Sequence, residues 1–92
     1  MSVRMEATVT GLVQGVFFRQ STLYTAQRLK LVGWVANRSD GAVWVVAEGD
    51  EDVVQQFLAY LHDGPPAARV EKVEAKWSAA TDEFPDFRVR YL

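Results

Sequence analysis

Residues 11–19 read Gly-Leu-Val-Gln-Gly-Val-Phe-Phe-Arg, and this stretch combines three features that bind anions. Glycines at positions 11 and 15 permit positive backbone angles, which let successive N–H groups point into one concavity. A helix-like segment follows, and the first N–H groups of a helix are unpaired and lie at the positive end of its dipole. Arg19 adds a planar fork of donors that fits a phosphate or a carboxylate. The stretch therefore predicts an anion-binding turn.

Asn37 is the second residue whose type and place suggest chemistry. It lies within the strand predicted to begin at Gly33, where asparagine is disfavoured. Beside a bound phosphate, an amide can hold a water with its carbonyl oxygen while it donates to a phosphoryl oxygen. An aspartate there would repel a phosphate dianion at close range. Two interpretations stay open: Asn37 orients a water, or it caps or begins the hairpin turn that follows.

The elements that hold these groups in the first third of the chain follow from hydrophobic periodicity. Residues 3–10 alternate strictly between apolar and polar side chains, which predicts a half-buried strand. After the glycine-bounded turn, Ser21 or Thr22 is expected to cap a helix that runs to about Lys30. Its apolar stripe is expected to consist of Leu23, Ala26 and Leu29, with Tyr24 as a further candidate.

The remaining elements follow in the same way. A strand begins at Gly33, a hairpin turn lies at residues 39–41, and residues 42–48 form a return strand that is apolar on both faces, as in the centre of a sheet. Asp50 is expected to cap a second amphipathic helix that runs to about His62. Two more strands are predicted. The inward-facing residues Val73, Ala75 and Trp77 mark the fourth, and the last one is marked by Phe87, Val89 and Tyr91, which alternate with Arg88 and Arg90.

This order of elements predicts an α+β fold, the ferredoxin-like α/β sandwich. Both helices are expected on one face of an antiparallel sheet, because that arrangement buries both apolar stripes. The connectivity is βαββαβ with one further C-terminal strand. At 92 residues the chain has room for one core, so residues 1–92 are expected to form a single domain.

Composition narrows the possible partners. The net charge of −2 disfavours nucleic acid, whose binding domains usually carry a basic excess. The absence of cysteine removes disulfides, thiolate metal sites and thiol nucleophiles, which fits the cytosol. No stretch has the length and apolarity of a signal peptide or a membrane span. We expect a cytoplasmic monomer that acts on a small molecule, without a metal, a cofactor, a membrane or a nucleic acid.

Two spaced motifs resemble both signatures of the acylphosphatase family. The first is residues 11–19; the second is residues 33–43, which read Gly-Trp-Val-Ala-Asn-Arg-Ser-Asp-Gly-Ala-Val, followed by Gly49. The closing Phe-Arg-Val-Arg-Tyr of residues 87–91 resembles the family's terminal strand. The resemblance covers essentially the whole chain without a large insertion. It implies an enzyme that hydrolyses a carboxyl–phosphate mixed anhydride to a carboxylate and inorganic phosphate, without a metal or a cofactor.

The resemblance also implies roles for individual residues. Arg19 and Asn37 would be catalytic: Arg19 binds the substrate phosphate and Asn37 positions the attacking water. The phosphate would also be bound by backbone N–H groups of the residues Gln14, Gly15, Val16, Phe17, Phe18 and Arg19. This assignment suits the composition, because an acyl phosphate expels a carboxylate, a weak base that needs no proton. Neutralising the phosphoryl charge and placing the water can then suffice, with the substrate's own phosphate oxygen as the hypothetical base.

Four positions need a separate interpretation. Phe17 stands where many family members carry a small residue, so the outer wall of the site is expected to be bulkier. Lys30 stands where a glycine is frequent, and it costs about 1 kcal/mol if its backbone must be left-handed. Arg38 adds a cation, although strand alternation points it away from the mouth. For Gln14 we favour a role of the backbone over a side chain that braces the loop.

Three other functions are compatible with parts of the sequence. A non-catalytic anion-binding domain is the main alternative, because fold does not dictate function. A nucleic-acid binder is the second, because RNA-recognition domains share this order of elements; the three tryptophans, however, favour packing over base stacking. A domain of a larger maturation enzyme is the third, weakened by the complete start and the tidy terminal strand. His62 is interpreted as a favourable cation at a helix C-terminus rather than a catalytic group.

Overall fold

The computed structural model describes residues 2–92, and its elements alternate as the hydrophobic pattern predicts. They are β1 (Ser2–Leu12), α1 (Phe18–Arg28), β2 (Val32–Asn37), β3 (Val43–Asp50), α2 (Glu51–Asp63), β4 (Arg69–Ala79) and β5 (Phe87–Val89). The strands form one sheet in the order β4-β1-β3-β2-β5. The predicted ferredoxin-like α+β fold is therefore confirmed, with β3 in the middle of the sheet.

The sheet is mixed rather than wholly antiparallel. β1 pairs antiparallel with both β3 and β4, and β2 pairs antiparallel with β3, but β5 pairs parallel with β2. The reason is the route of the chain after β4. The chain reverses and crosses from one edge of the sheet to the other, so β5 runs opposite to β4 and in the same direction as β2.

Both helices pack on one face of the sheet and enclose the main core. The central strand β3 is apolar on both faces, as predicted, with Val43, Val45, Val46 and Ala47 all buried. The largest fully buried side chains on the helical side include Phe18 of α1, Phe57 and Leu61 of α2, and Met5 and Val9 of β1.

The opposite face of the sheet carries a smaller apolar cluster. Trp34 and Val46 are buried there, and the rings of Trp34 and Trp44 meet edge to face at 5.1 Å, which confirms the packing role predicted for these two tryptophans. Trp77 lies on the other, helical side of the sheet, where it pairs with the core residue Met5 as predicted, but its side chain is still 40% exposed. Trp77 lies on β4, an edge strand, where neighbours cover a side chain on fewer sides.

Glu48 holds the chain segment that crosses this second face through hydrogen bonds. The side chain is 2% exposed, and its carboxylate accepts hydrogen bonds from the backbone N–H groups of Thr81 (3.1 Å) and Asp82 (3.0 Å) and from the guanidinium of Arg4 (3.1 Å). Burial by itself raises the pKa of Glu48, but these hydrogen bonds outweigh it, so the pKa lies below its ordinary value. The segment that begins at Thr81 and Asp82 continues into β5 and the C-terminal residues.

We expect the fold to lose stability in acid through Glu48. A carboxyl group whose folded-state pKa is lowered stabilises the fold above its unfolded pKa, and this contribution is lost as the pH falls through the folded pKa. The free energy of unfolding from urea titrations should therefore decrease below about pH 4. At neutral pH, Glu48→Gln should lower the free energy of unfolding by about 2–3 kcal/mol, because an amide nitrogen would then face N–H donors. Glu71→Gln, at an exposed position on β4, is the control; an equal pH slope in both variants would contradict the assignment to Glu48.

The first helix begins earlier than its sequence suggests. Ser21 and Thr22 do not cap it; α1 starts at Phe18, and the capping position is Phe17, whose backbone is left-handed (φ 64°, ψ 15°). The left-handed backbone of Phe17 changes the direction of the chain, so α1 begins at the next residue. Ser21 already donates its N–H to the Phe17 carbonyl at 2.9 Å.

Lys30 closes the same helix in a left-handed conformation, as anticipated. Its φ is 60°, its N–H donates to the Gln27 carbonyl, and the N–H of Leu31 donates to the Ala26 carbonyl, each at 3.0 Å. This pair of bonds is a Schellman motif, which glycine normally completes.

We expect Lys30→Gly to raise the free energy of unfolding by about 1 kcal/mol in chemical denaturation, because glycine adopts positive φ without strain. Lys30→Ala is the matched control, since it removes the side chain but keeps the Cβ that causes the strain. Equal stabilisation by both variants would show that the lysine side chain, not the backbone, is responsible.

Candidate anion site

The turn between β1 and α1 forms a cradle of free backbone donors. Within residues 2–92, no protein acceptor takes a hydrogen bond from the N–H groups of residues 14–20. Gly15 (φ 74°) and Phe17 (φ 64°) are both left-handed and flank Val16, which bends the chain into a nest. The turn borders a cavity of about 480 Å³, lined by Val13, Gln14, Gly15, Phe17, Phe18, Arg19, Gln20 and Asn37.

The N-terminus of α1 lacks the negative charge that normally balances a helix dipole. The first turn of α1 contains no acidic residue, and Phe17 offers no side-chain cap. The contrast within the molecule is clear, because α2 carries Glu51 and Asp52 in its first turn. The positive end of the α1 dipole and its free N–H groups are therefore available to a bound anion.

Arg19 supplies the full positive charge of the site. It lies in the first turn of α1 and lines the cavity, and it makes no ion pair with a carboxylate in the described part of the chain. The carbon at the centre of its guanidinium lies 5.2 Å from the centroid of the Tyr91 ring. This cation–π contact orients the fork without neutralising it.

Sequence reasoning did not anticipate Val13 and Gln20 in the cavity lining, nor the contact that Tyr91 makes with Arg19 beside it. The alternation places Tyr91 on the last strand, but β5 ends at Val89 and the Tyr91 side chain is 80% exposed. No local signal distinguishes it, because the alternation of Phe87 and Val89 continues through position 91. Only the packing of the chain end beside α1 reveals its contact with Arg19.

Asn37 lies across the cavity from the turn, on a different strand. It is the last residue of β2, where it pairs with Val43, and its side chain lines the same cavity as Arg19. Its Oδ1 is buried and accepts no hydrogen bond, which is costly for a polar atom. The Cβ–Cγ torsion of asparagine is soft, so a small rotation presents this oxygen to a donor in the cavity.

The hairpin-cap interpretation of Asn37 is not supported by the hydrogen bonds of the turn. Asp40 Oδ1 accepts from the Ala42 N–H at 3.1 Å, and the N–H of Arg38 donates to the Ala42 carbonyl at 2.8 Å. These contacts close the turn without the Asn37 side chain. Its amide is thus left for the cavity.

Gln14 ties the cradle to the hairpin that carries Asn37. Its Nε2 donates to the carbonyls of Arg38 (2.8 Å) and Ala42 (2.9 Å), on either side of the turn. The expectation that only the backbone of Gln14 matters is wrong in structural terms. Its side chain fixes the distance between two segments that lie far apart in sequence.

One cavity is lined by all the predicted site residues except Val16, namely Gln14, Gly15, Phe17, Phe18, Arg19 and Asn37. Phe18 is 1% exposed and Val16 packs against the core, so these two contribute backbone rather than side chain. Arg38 lies outside the cavity and pairs with Asp40 at 2.8 Å, as strand alternation predicts. His62 lies exposed in the last turn of α2.

A larger cavity, of about 810 Å³, lies over the second face of the sheet but is less suited to an anion. Its arginines are already engaged: Arg4 contacts three glutamates, Arg88 pairs with Asp86 at 2.7 Å, and Arg90 covers the ring of Trp34. Among residues 2–92 no group of three or more histidine, aspartate or glutamate side chains is arranged to hold a metal ion. In the same residues no helix is long and apolar enough to span a membrane.

Fold and site together define a small α+β protein that presents a backbone cradle, a guanidinium and a carboxamide to an anion of phosphate size. The chain belongs to the acylphosphatase family, whose sequence profile, described as Acylphosphatase, matches residues 5–89.

Individual relatives agree with the family assignment over nearly the full chain. An acylphosphatase of Salinibacter ruber is 49% identical over 87 residues, which are 95% of this chain and 92% of that protein. The crystal structure of acylphosphatase from Bacillus subtilis superposes with a TM-score of 0.93 at 35% identity, covering 97% of this chain and 99% of that one. An acylphosphatase from Coxiella burnetii gives 0.90 at 42% identity, covering 97% and 93%.

Proposed function

We propose that this chain hydrolyses the carboxyl–phosphate bond of acyl phosphates and releases a carboxylate and inorganic phosphate. The observation that carries the proposal is the meeting of the free N–H groups of residues 14–20, Arg19 and Asn37 at one cavity. The donors suit a phosphoryl group, and the amide with its unpartnered oxygen suits a water molecule beside it. Because the phosphoryl dianion of an acyl phosphate has no proton to donate to that oxygen, the second feature favours a reaction with water over binding of that anion alone.

In the proposed mechanism the backbone N–H groups and Arg19 bind the phosphoryl oxygens and stabilise the negative charge of the transition state. Asn37 accepts a hydrogen bond from the attacking water through Oδ1 and donates to a phosphoryl oxygen through Nδ2. The water oxygen bonds to phosphorus as the bond from phosphorus to the acyl oxygen breaks. The bonding electrons leave with the carboxylate, and a proton of the water passes to a phosphoryl oxygen.

This scheme needs neither a metal nor a cofactor. A carboxylate is a weak base and leaves without protonation, so no general acid is required. Charge neutralisation by fixed donors and the placement of one water are the two contributions that the described residues supply. The Gln14 bridge supports both, because it holds the cradle and Asn37 in a fixed relation.

The test is an assay of the purified chain with acetyl phosphate and with benzoyl phosphate, monitoring release of inorganic phosphate. We expect turnover of both, undiminished by a chelator. Binding of inorganic phosphate without turnover of either substrate would instead favour a non-catalytic anion-binding domain. Loss of turnover in the chelator would contradict the metal-free mechanism.

We also propose that the chain works as a monomer in the cytoplasm and binds no nucleic acid. The negative net charge supports the last point, and the cysteine-free composition suits a reducing compartment. Sedimentation tests the monomeric state, and filter binding tests the absence of nucleic-acid binding.

A further inference from the structure

Phe17 adopts a backbone conformation that its own packing does not explain. Its φ of 64° is left-handed, a conformation that bulky residues rarely adopt and that glycine adopts without strain. Backbone strain persists where the surrounding structure requires it, and the Phe17 side chain, which is 80% exposed, does not supply that requirement. Strained backbone positions cluster at active and binding sites, so an exposed ring at such a position is a candidate contact for a ligand.

The position of Phe17 identifies the space that its ring borders. Phe17 and Gln20 line the anion cavity, and the same two residues line a second cavity of about 310 Å³. The two cavities therefore adjoin. The second one runs along α1 over residues spaced three or four apart, namely Phe17, Gln20, Ser21, Tyr24, Thr25 and Arg28.

Tyr24 provides the second aromatic surface of this groove. The sequence placed it provisionally in the apolar stripe of α1, but its side chain is 61% exposed and it lies seven residues after Phe17, two turns along the same face. Two exposed rings on one face, next to a phosphate cradle, make an apolar surface where a substrate leaves the cradle. Aromatic surfaces favour offset or edge-to-face contact with another ring.

We propose that Phe17 and Tyr24 form the acyl subsite, and that the chain prefers acyl phosphates whose acyl group carries an aromatic ring. This inference rests on the proposed hydrolysis of acyl phosphates and specifies its substrate class. With the phosphoryl group in the cradle, the acyl group projects past Phe17 into the adjoining groove. Along α1, Phe17 lies at the end of the groove next to the cradle, Tyr24 follows two turns later, and the cation Arg28 lies one turn beyond Tyr24.

The kinetic test compares kcat/KM for benzoyl phosphate and acetyl phosphate in the wild type, Phe17→Gly, Phe17→Leu and Tyr24→Ala. Phe17→Gly is expected to fold, since glycine accepts the left-handed φ. We expect the benzoyl-to-acetyl ratio to fall about tenfold in Phe17→Gly and about threefold in Tyr24→Ala, with Phe17→Leu in between. Leu12→Ala is the control, because Leu12 is an exposed apolar residue outside both cavities and should leave the ratio unchanged.

A binding measurement tests the acyl subsite independently of whether the chain hydrolyses the substrate. Benzoylphosphonate and acetylphosphonate, which cannot be hydrolysed, are titrated against the same variants by calorimetry, and the benzoyl compound should lose its advantage in Phe17→Gly. If the wild type hydrolyses neither acyl phosphate but still prefers benzoylphosphonate, the hydrolysis fails and the subsite stands. An unchanged ratio in Phe17→Gly overturns the subsite while hydrolysis stands. A preference for succinyl phosphate that is lost in Arg28→Ala would also overturn it, in favour of recognition by charge.

Discussion

Arg19→Ala is expected to lower kcat/KM for benzoyl phosphate by about 10³-fold or more, and to remove detectable binding of inorganic phosphate. Arg19 is the charged group of the cavity, and its guanidinium has no carboxylate partner among residues 2–92. Its charge is therefore not neutralised by a carboxylate and is available to a bound anion. Charge-assisted hydrogen bonds of this kind are among the strongest that a protein makes to phosphate.

Arg19→Lys separates charge from geometry in the same experiment. The ammonium restores the charge but not the planar fork, so we expect most of the loss to persist. Arg88→Ala is the control for removal of one positive charge; its side chain is exposed and pairs with Asp86 away from the cavity. Near-normal phosphate affinity in Arg19→Ala, measured by calorimetry, would mean that the backbone N–H groups alone hold the anion.

Asn37→Ala is expected to have a different signature. We expect kcat to fall by about 10²–10³-fold, while the affinity for inorganic phosphate changes by less than about twofold. The cradle and Arg19 remain intact in this variant, so the phosphate is still bound. What is lost is the group that directs the water.

Stability and charge provide two checks on Asn37. The buried Oδ1 of Asn37 has no hydrogen-bond partner, so Asn37→Ala should not lower the free energy of unfolding. If the Asn37 side chain held the hairpin turn, the same substitution would lower it. Asn37→Asp should lower both kcat and phosphate affinity, since a carboxylate beside the cradle repels the anion. Equal losses of kcat and phosphate affinity in Asn37→Ala would assign the residue to binding instead of to the water.

The local sequence determined the elements and the identity of the main candidate residues. Strict alternation in residues 3–10 and helical spacing in α2 reflect burial of one face, which depends on near neighbours in the chain. The run of valines in β3 predicted the centre of the sheet, because a strand that is apolar on both faces is buried on both. The glycines and Arg19 predicted the turn and its ligand class from backbone freedom and donor geometry alone.

The tertiary structure alone decided how these residues meet. The start of α1 at Phe18 depends on a left-handed φ at a phenylalanine, which no propensity predicts. The Gln14 bridge and the placement of Tyr91 on Arg19 each join segments far apart in the chain, and so does the parallel pairing of β5. Such contacts depend on which surfaces the packed sheet brings together, and periodicity carries no information about them. The sequence identified the candidate residues, and packing decided which of them lie at one cavity.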